Sequence, residues 1–177
     1  MPSANNDRQA RRPTLLCFDG SDNASRAIAE AGKLLVPGPA VVLTVCEPLP
    51  NWEPYDPATI LSAPLSKVAS RALDLEEIAD EVARDTVLQG VALATAAGFG
   101  AEGRTESGKA WRTICDVAEE VDAQTIVMGA RGLSRVGSLL LGSVSAAVAA
   151  HAPCPTLIVP GAPRVNSDAA PGLETGS

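Results

Sequence analysis

The chain has 177 residues, of which 46% are hydrophobic, 20% charged and only 3% aromatic. That balance fits one globular domain whose core is built from Ala, Val, Leu and Ile, a composition suited to helices packed on a buried parallel sheet. The formal net charge of −7 repels a long polyanion on average, which disfavours nucleic-acid binding, and no apolar run has membrane-spanning length.

No secretory signal is apparent. The cysteines Cys17, Cys46, Cys115 and Cys154 form no CxxC pair and no zinc spacing, so a reduced, cytoplasmic chain is expected. Residues 1–12 are polar, with Arg8, Arg11 and Arg12, and read as a flexible arm; a basic contact arm is the alternative. The folded domain is expected over 13–161. Residues 162–177, rich in Gly, Pro, Ser and Ala, read as a disordered tail.

Thr14 to Phe18 reads as a buried strand ending in the turn Asp19-Gly20-Ser21, where Ser21 or Asp22 can cap the next helix. In that helix Ala24, Ala27, Ile28, Ala31, Leu34 and Leu35 recur at helical spacing, and Pro37-Gly38-Pro39 stops it. Ala40 to Cys46 is the second strand, apolar except for Thr44, which completes a right-handed βαβ unit. The proline-rich stretch Glu47 to Leu65, with Trp52 and Tyr55, reads as a long surface loop. It can be a lid, a subunit contact or surface padding.

From Ser66 to about Ala97 the pattern is helical again. Leu75, Ile78, Ala79, Val82, Ala83 and Thr86 share the face expected to pack inward. Glu76, Glu77, Asp80, Glu81 and Asp85 lie opposite, and a solvated face explains them better than a metal site. Gly98 ends the helix, and a weak strand follows around Ala101 to Thr105. A third helix over Gly108 to Val121, with Ile114, Val117, Ala118 and Val121 inward, leads to a fourth strand over Gln124 to Met128. A glycine- and serine-rich loop, a helix over Val144 to Ala150, the breaker Ala152-Pro153-Cys154-Pro155 and a fifth strand over Thr156 to Val159 complete the domain. Five strands alternating with four helices give a three-layer α/β fold with a mostly parallel sheet. In such sheets ligands bind beyond the carboxyl ends of the strands, so Asp19, Val45, Met128 and Gly129 are expected to share one crevice.

The segment after the fourth strand carries the chemistry. Gly129, Gly132, Gly137 and Gly142 are interspersed with Ser134, Ser138, Ser143 and Ser145. A strand feeding a Gly/Ser loop that feeds a helix start offers backbone N–H groups to an anion, most often a phosphate. Gly103-Arg-Thr-Glu-Ser-Gly-Lys109-Ala110 approaches the P-loop pattern, but Ala110 has no hydroxyl for Mg²⁺ and no later strand ends in an acid. His151, the single histidine, can be read as a general base, but it sits at a helix end far from the glycine loop's helix start, where a histidine facing the C-terminal dipole is the ordinary case. No catalytic residue is assigned, and no metal-ligand spacing is present. Asp19 has two roles open: capping the first helix with Ser21, or receiving hydrogen bonds from a sugar, a base or a metal near phosphates.

Gly129-x2-Gly132-x9-Gly142-Ser143 resembles the ATP-binding signature of the universal stress protein family, G-x2-G-x9-G-[ST]. The flanks Thr125 to Gly129, Leu139 to Ser145 and His151 to Val159, and the segment Leu15 to Ser25, are similar too, so the likeness spans about residues 14–160. The resemblance implies strand order 3-2-1-4-5, helices on both faces, and an adenine nucleotide alpha hydrolase-like fold. It implies Asp19 and Val45 beside the adenine and ribose, and Met128 and Gly129 bordering the ribose. Gly132, Gly142, Ser143, Val144 and Ser145 would hold the phosphates through N–H and hydroxyl groups. Arg131 and Arg135 lie within the loop and can add positive charge. Phe18 stands where nucleotide-binding relatives often carry a small or polar residue. The resemblance further implies a homodimer joined through the fifth strand, Thr156 to Val159. The expected ligand is ATP, with Mg²⁺ a candidate companion; AMP or a cyclic nucleotide remains open. The function implied is nucleotide-dependent regulation in stress. Its alternatives are a slow ATPase and a nucleotide-free adaptor that uses the loop Glu47 to Leu65.

Overall fold

Five parallel strands, β1 (Thr14–Cys17), β2 (Pro39–Cys46), β3 (Gly100–Ser107), β4 (Thr125–Gly129) and β5 (Thr156–Val159), form one sheet in the order β3-β2-β1-β4-β5. The computed structural model describes residues 12–47, 65–130 and 141–161. The N-terminal arm, most of the loop after β2, Arg131 to Leu140 and the tail lie outside the described residues. Helices α1 (Asp22–Leu34), α2 (Leu65–Ala96), α3 (Ala110–Glu120) and α4 (Ser143–His151) cover the two faces.

The sheet's alternating side chains divide the core in two. Leu16, Val42 and Val127 point to the side of α1 and α2, where they meet Ala27, Ile28, Val87 and Ala94. Leu15, Val41, Leu43 and Ile126 point to the other side and meet Ile114, Val117 and Ala118 of α3 and Val148 of α4. Register is set by direct pairing of Leu15 with Val41 on one side and with Ile126 on the other. Because β1 is buried between β2 and β4, Leu15 and Leu16 are apolar on both faces, and its buried Thr14 hydroxyl accepts from Gln124 Nε2 at 3.1 Å. Thr44 is the exception in β2; its buried hydroxyl donates to the Phe18 carbonyl at 2.9 Å.

Two sequence expectations change. The strand read as Ala101 to Thr105 runs the full length of Gly100–Ser107. It is an edge strand with polar, partly exposed positions, which is why its apolar signal is weak. In α2 the inward face is Ala83, Val87, Gly90 and Ala94, whereas Ile78 and Val82 are 56% and 59% exposed. A helix of 32 residues is ~48 Å long, so the sheet cannot cover its whole length. The side chains of residues 65–77, with Leu75, Glu76 and Glu77, lie outside the described residues. At Gly90 the helix lies so close that a Cβ would stand 2.7 Å from Phe18 Cδ1 and from Val42 Cγ1. Asp80, Glu81 and Asp85 are exposed. Among the described residues no group of three or more His, Cys, Asp or Glu is placed to hold a metal, and no helix is long and apolar enough to cross a membrane.

Candidate functional site

A cavity of about 360 Å³ opens at the carboxyl ends of β1, β2 and β4, at the point where the strand order reverses direction from β1. This is where open α/β sheets place ligands. Its walls come from three strand ends and three helix starts, with Ala24 supplied by α1. β1 and its continuation supply Cys17, Phe18 and Asp19; β2 supplies Leu43, Val45 and the following Glu47; β4 supplies Met128 and Gly129. Ala110 and Ile114 come from α3, and Gly142, Ser143, Val144 and Ser145 from the start of α4.

Eight sequence-assigned site residues therefore line one space: Asp19, Val45, Met128, Gly129, Gly142, Ser143, Val144 and Ser145. Arg131 and Gly132 lie outside the described residues. The sequence reading missed Cys17, Ala24, Leu43, Glu47, Ala110 and Ile114. Glu47 was legible in principle, because it follows the last residue of β2 as Asp19 follows β1. Ala110 and Ile114 were not, because only the approach of α3 to the sheet brings them there.

The helix starts differ in how their free N–H groups are met. In α1 the Ser21 hydroxyl accepts from the Ala24 N–H at 3.2 Å, and Asp19 Oδ1 accepts from the Ser21 N–H at 3.0 Å. Asp19 thus fulfils its turn-forming role while lining the cavity. In α3 the Glu47 carboxylate accepts from the Ala110 N–H at 3.1 Å. In α4 the N-cap is Gly142, which has no side chain to offer; its N–H donates to the Ala130 carbonyl at 2.7 Å and its carbonyl accepts from Ala146 N–H at 2.9 Å. No side chain of the described residues caps the N–H groups of Ser143, Val144 and Ser145, which lie in the first turn.

The Ser145 hydroxyl is not directed to the cavity for donation. Buried, it donates to the carbonyls of Gly129 and Ala130, at 3.0 and 3.1 Å. Its hydrogen ties β4 to α4, so the expectation that this hydroxyl donates to phosphate gives way to a scaffold role; its backbone N–H is unaffected. Ser143 is exposed at the helix start. The cavity floor is apolar, and burial, helped by the neighbouring Cys115 thiol and the Asp19 carboxylate, pushes the Cys17 thiol up to about 12. No Lys or Arg is among the described residues that line the cavity.

The other candidates fall elsewhere. Gly103 to Ser107 of the P-loop-like segment are extended in β3 and cannot form a phosphate loop, while Lys109 is exposed with its Nζ 5.9 Å from the Trp111 ring centroid. His151 closes α4 at the end away from the cavity. Its Nδ1 is 2.8 Å from the Ala147 carbonyl and its ring centroid 4.8 Å from that of Trp111.

Residues 10–160 match the model of the universal stress protein family. The chain is 34% identical over 151 residues to the universal stress protein in the QAH/OAS sulfhydrylase 3' region of Thermus aquaticus, covering 82% of this chain and 96% of that one. Among solved structures, the fold is similar to universal stress protein UspA from Lactobacillus plantarum (TM-score 0.65, 23% identity, 84% of this chain and 98% of that one). It is also similar to a universal stress protein solved in complex with cAMP (TM-score 0.52, 28% identity, 85% of this chain and 97% of that one).

Proposed function

The chain belongs to the universal stress protein family, and we propose that it binds an adenine nucleotide, ATP foremost, in the cavity at the ends of β1, β2 and β4. The observation that carries this reading is the helix start at Gly142–Ser145, uncapped by any described side chain, beside an apolar floor. A nucleotide has the same two parts: a flat, weakly polar base and a charged phosphate end. The floor of Leu43, Val45, Ile114 and Met128 suits the base. The amides of Ser143, Val144 and Ser145, at the positive end of the α4 dipole, suit phosphate oxygens. Gly129 borders the ribose, and Asp19 offers its carboxylate to hydroxyl groups. Gly132 and Arg131 complete the phosphate loop, Arg131 adding the positive charge that the described lining lacks. A relative 28% identical to this chain was solved with cAMP, which supports an adenine nucleotide over other phosphate ligands.

Binding, with Mg²⁺ accompanying ATP, would serve as a regulatory signal in the cytoplasm. No side chain is assigned as a general base for hydrolysis. The homodimer reading rests on β5, an edge strand whose Leu157 and Ile158 are only half-buried. The test of nucleotide binding is a thermal melt with and without Mg-ATP. Ligand at a hundred times Kd stabilises the folded state by about 2.7 kcal/mol, and replacing Gly142 with a bulky residue should abolish that shift. No stabilisation of the natural chain at millimolar Mg-ATP contradicts the reading.

A further inference from the structure

Resting on the nucleotide-binding reading, we propose that Glu47 is a specificity-determining residue, which occupies the start of α3 with its own carboxylate and so biases the cavity towards nucleotides with a single anionic end. Three helix starts line this cavity, Ala24 of α1, Ala110 of α3 and Gly142 to Ser145 of α4; that of α1 is capped by its own Ser21 hydroxyl, which leaves those of α3 and α4 to compare. Each presents amide hydrogens and the positive end of a dipole, so each can receive an anion. They are not equivalent. Lys109, the N-cap of α3, makes no capping bond, and the gap is met by Glu47, which follows β2 and lies 63 positions away in the chain, at 3.1 Å from the Ala110 nitrogen. No described side chain does the same for α4.

Among the described residues the protein therefore supplies an anion at α3 and none at α4. A second phosphate directed to α3 would meet the Glu47 carboxylate, with Asp19 lining the same space and no Lys or Arg among the described lining residues to offset them. Like charges brought together in this way discriminate between ligands by repulsion rather than by added contacts. What Glu47 does accept is hydrogen from a neutral donor, such as a hydroxyl or an amino group. The class favoured is a nucleoside whose phosphates all leave from one position; a nucleoside phosphorylated at two separate positions binds more weakly.

Calorimetric titration of the full chain with adenosine 5'-monophosphate and with adenosine 3',5'-bisphosphate tests this, in the natural protein and in Glu47→Gln and Glu47→Ala. The natural chain should prefer the monophosphate by about tenfold, the scale of one partly solvated like-charge contact. Glu47→Gln removes the charge but keeps an acceptor for Ala110, and should narrow the preference. Glu47→Ala also frees the Ala110 N–H, and should narrow it further or invert it. If Glu47→Ala does not fold, the glutamine variant alone decides. Equal affinity of the natural chain for both ligands, or a preference unchanged by the substitutions, overturns the role of Glu47 while leaving nucleotide binding intact. Failure of the natural chain to bind the monophosphate overturns the nucleotide reading and this inference with it.

Discussion

The Ser145 hydroxyl, in the first turn of α4, donates to the Gly129 carbonyl 3.0 Å away at the end of β4. This bond fixes the helix start against the strand end, and with it the direction in which the amides of the first turn point. The same hydroxyl also lies 3.1 Å from the Ala130 carbonyl, so one side chain touches two successive carbonyls where the chain leaves the sheet.

Removing that hydroxyl should be felt as stability. Ser145→Ala removes the hydroxyl's bond to the Gly129 carbonyl in a buried place, while the Ala130 carbonyl keeps the Gly142 N–H, and should cost about 1 kcal/mol, a fall in Tm of about 2–4 °C for a domain of this size. Ser143→Ala, at an exposed position of the same turn, should change stability by less than about 0.5 kcal/mol. Chemical denaturation of both variants separates the scaffold serine from its neighbour.

The packing of α2 rests on Gly90. An alanine methyl there would come within 2.7 Å of both the Phe18 ring and Val42, and such overpacking costs about 1–3 kcal/mol. At Gly100 the nearest atom to an added Cβ is 3.9 Å away, so Gly100→Ala should be tolerated. Urea midpoints of the two variants should therefore differ in that order. Because Phe18 also lines the cavity, Gly90→Ala should weaken nucleotide affinity as well, read by titration.

Alkaline pH should act through Cys17. Its folded-state value is raised from 9.0 to about 12 by burial first. Below pH 9 the thiol is protonated in both states and the stability is fully present. Between pH 9 and 12 the unfolded chain loses the proton first, so stability falls as pH rises. Cys17→Ala should flatten that part of the pH–stability curve. Burial also raises the Cys46, Cys115 and Cys154 thiols, but Cys17 most clearly, so at pH 8 it should be the last of the four to alkylate in a peptide-mapped labelling series.

The dimer reading gives a separate outcome. Ile158→Lys places a charge on the edge strand β5 and should convert a dimer to a monomer in sedimentation velocity, with the far-UV spectrum retained. A chain that is already monomeric at micromolar concentration contradicts pairing through this edge.

Most of the fold was legible because its signals are local. β1, β2, β4 and β5 are apolar runs bounded by turns, and α1 and α3 carry clean helical stripes ended by proline or by strand starts. The face of α2 was not legible. Its sequence has apolar residues on more than one side, and the choice is made by contact: Gly90 lets the helix settle on Phe18 and Val42, which leaves Ile78 and Val82 exposed. At the site, glycine spacing and strand ends located Asp19, Val45, Met128, Gly129 and the start of α4. The use of Ser145 as a tie and of Glu47 as a cap for α3 depends on distances between segments far apart in the chain, which spacing along one segment cannot encode.

The most direct measurement is an amide chemical-shift titration of isotope-labelled protein with Mg-ATP. Saturable shifts should centre on the amides of Gly129, Ser143, Val144 and Ser145, with smaller changes at Asp19 and Val45. Shifts confined to other surfaces, or none at millimolar nucleotide, would contradict binding at the start of α4.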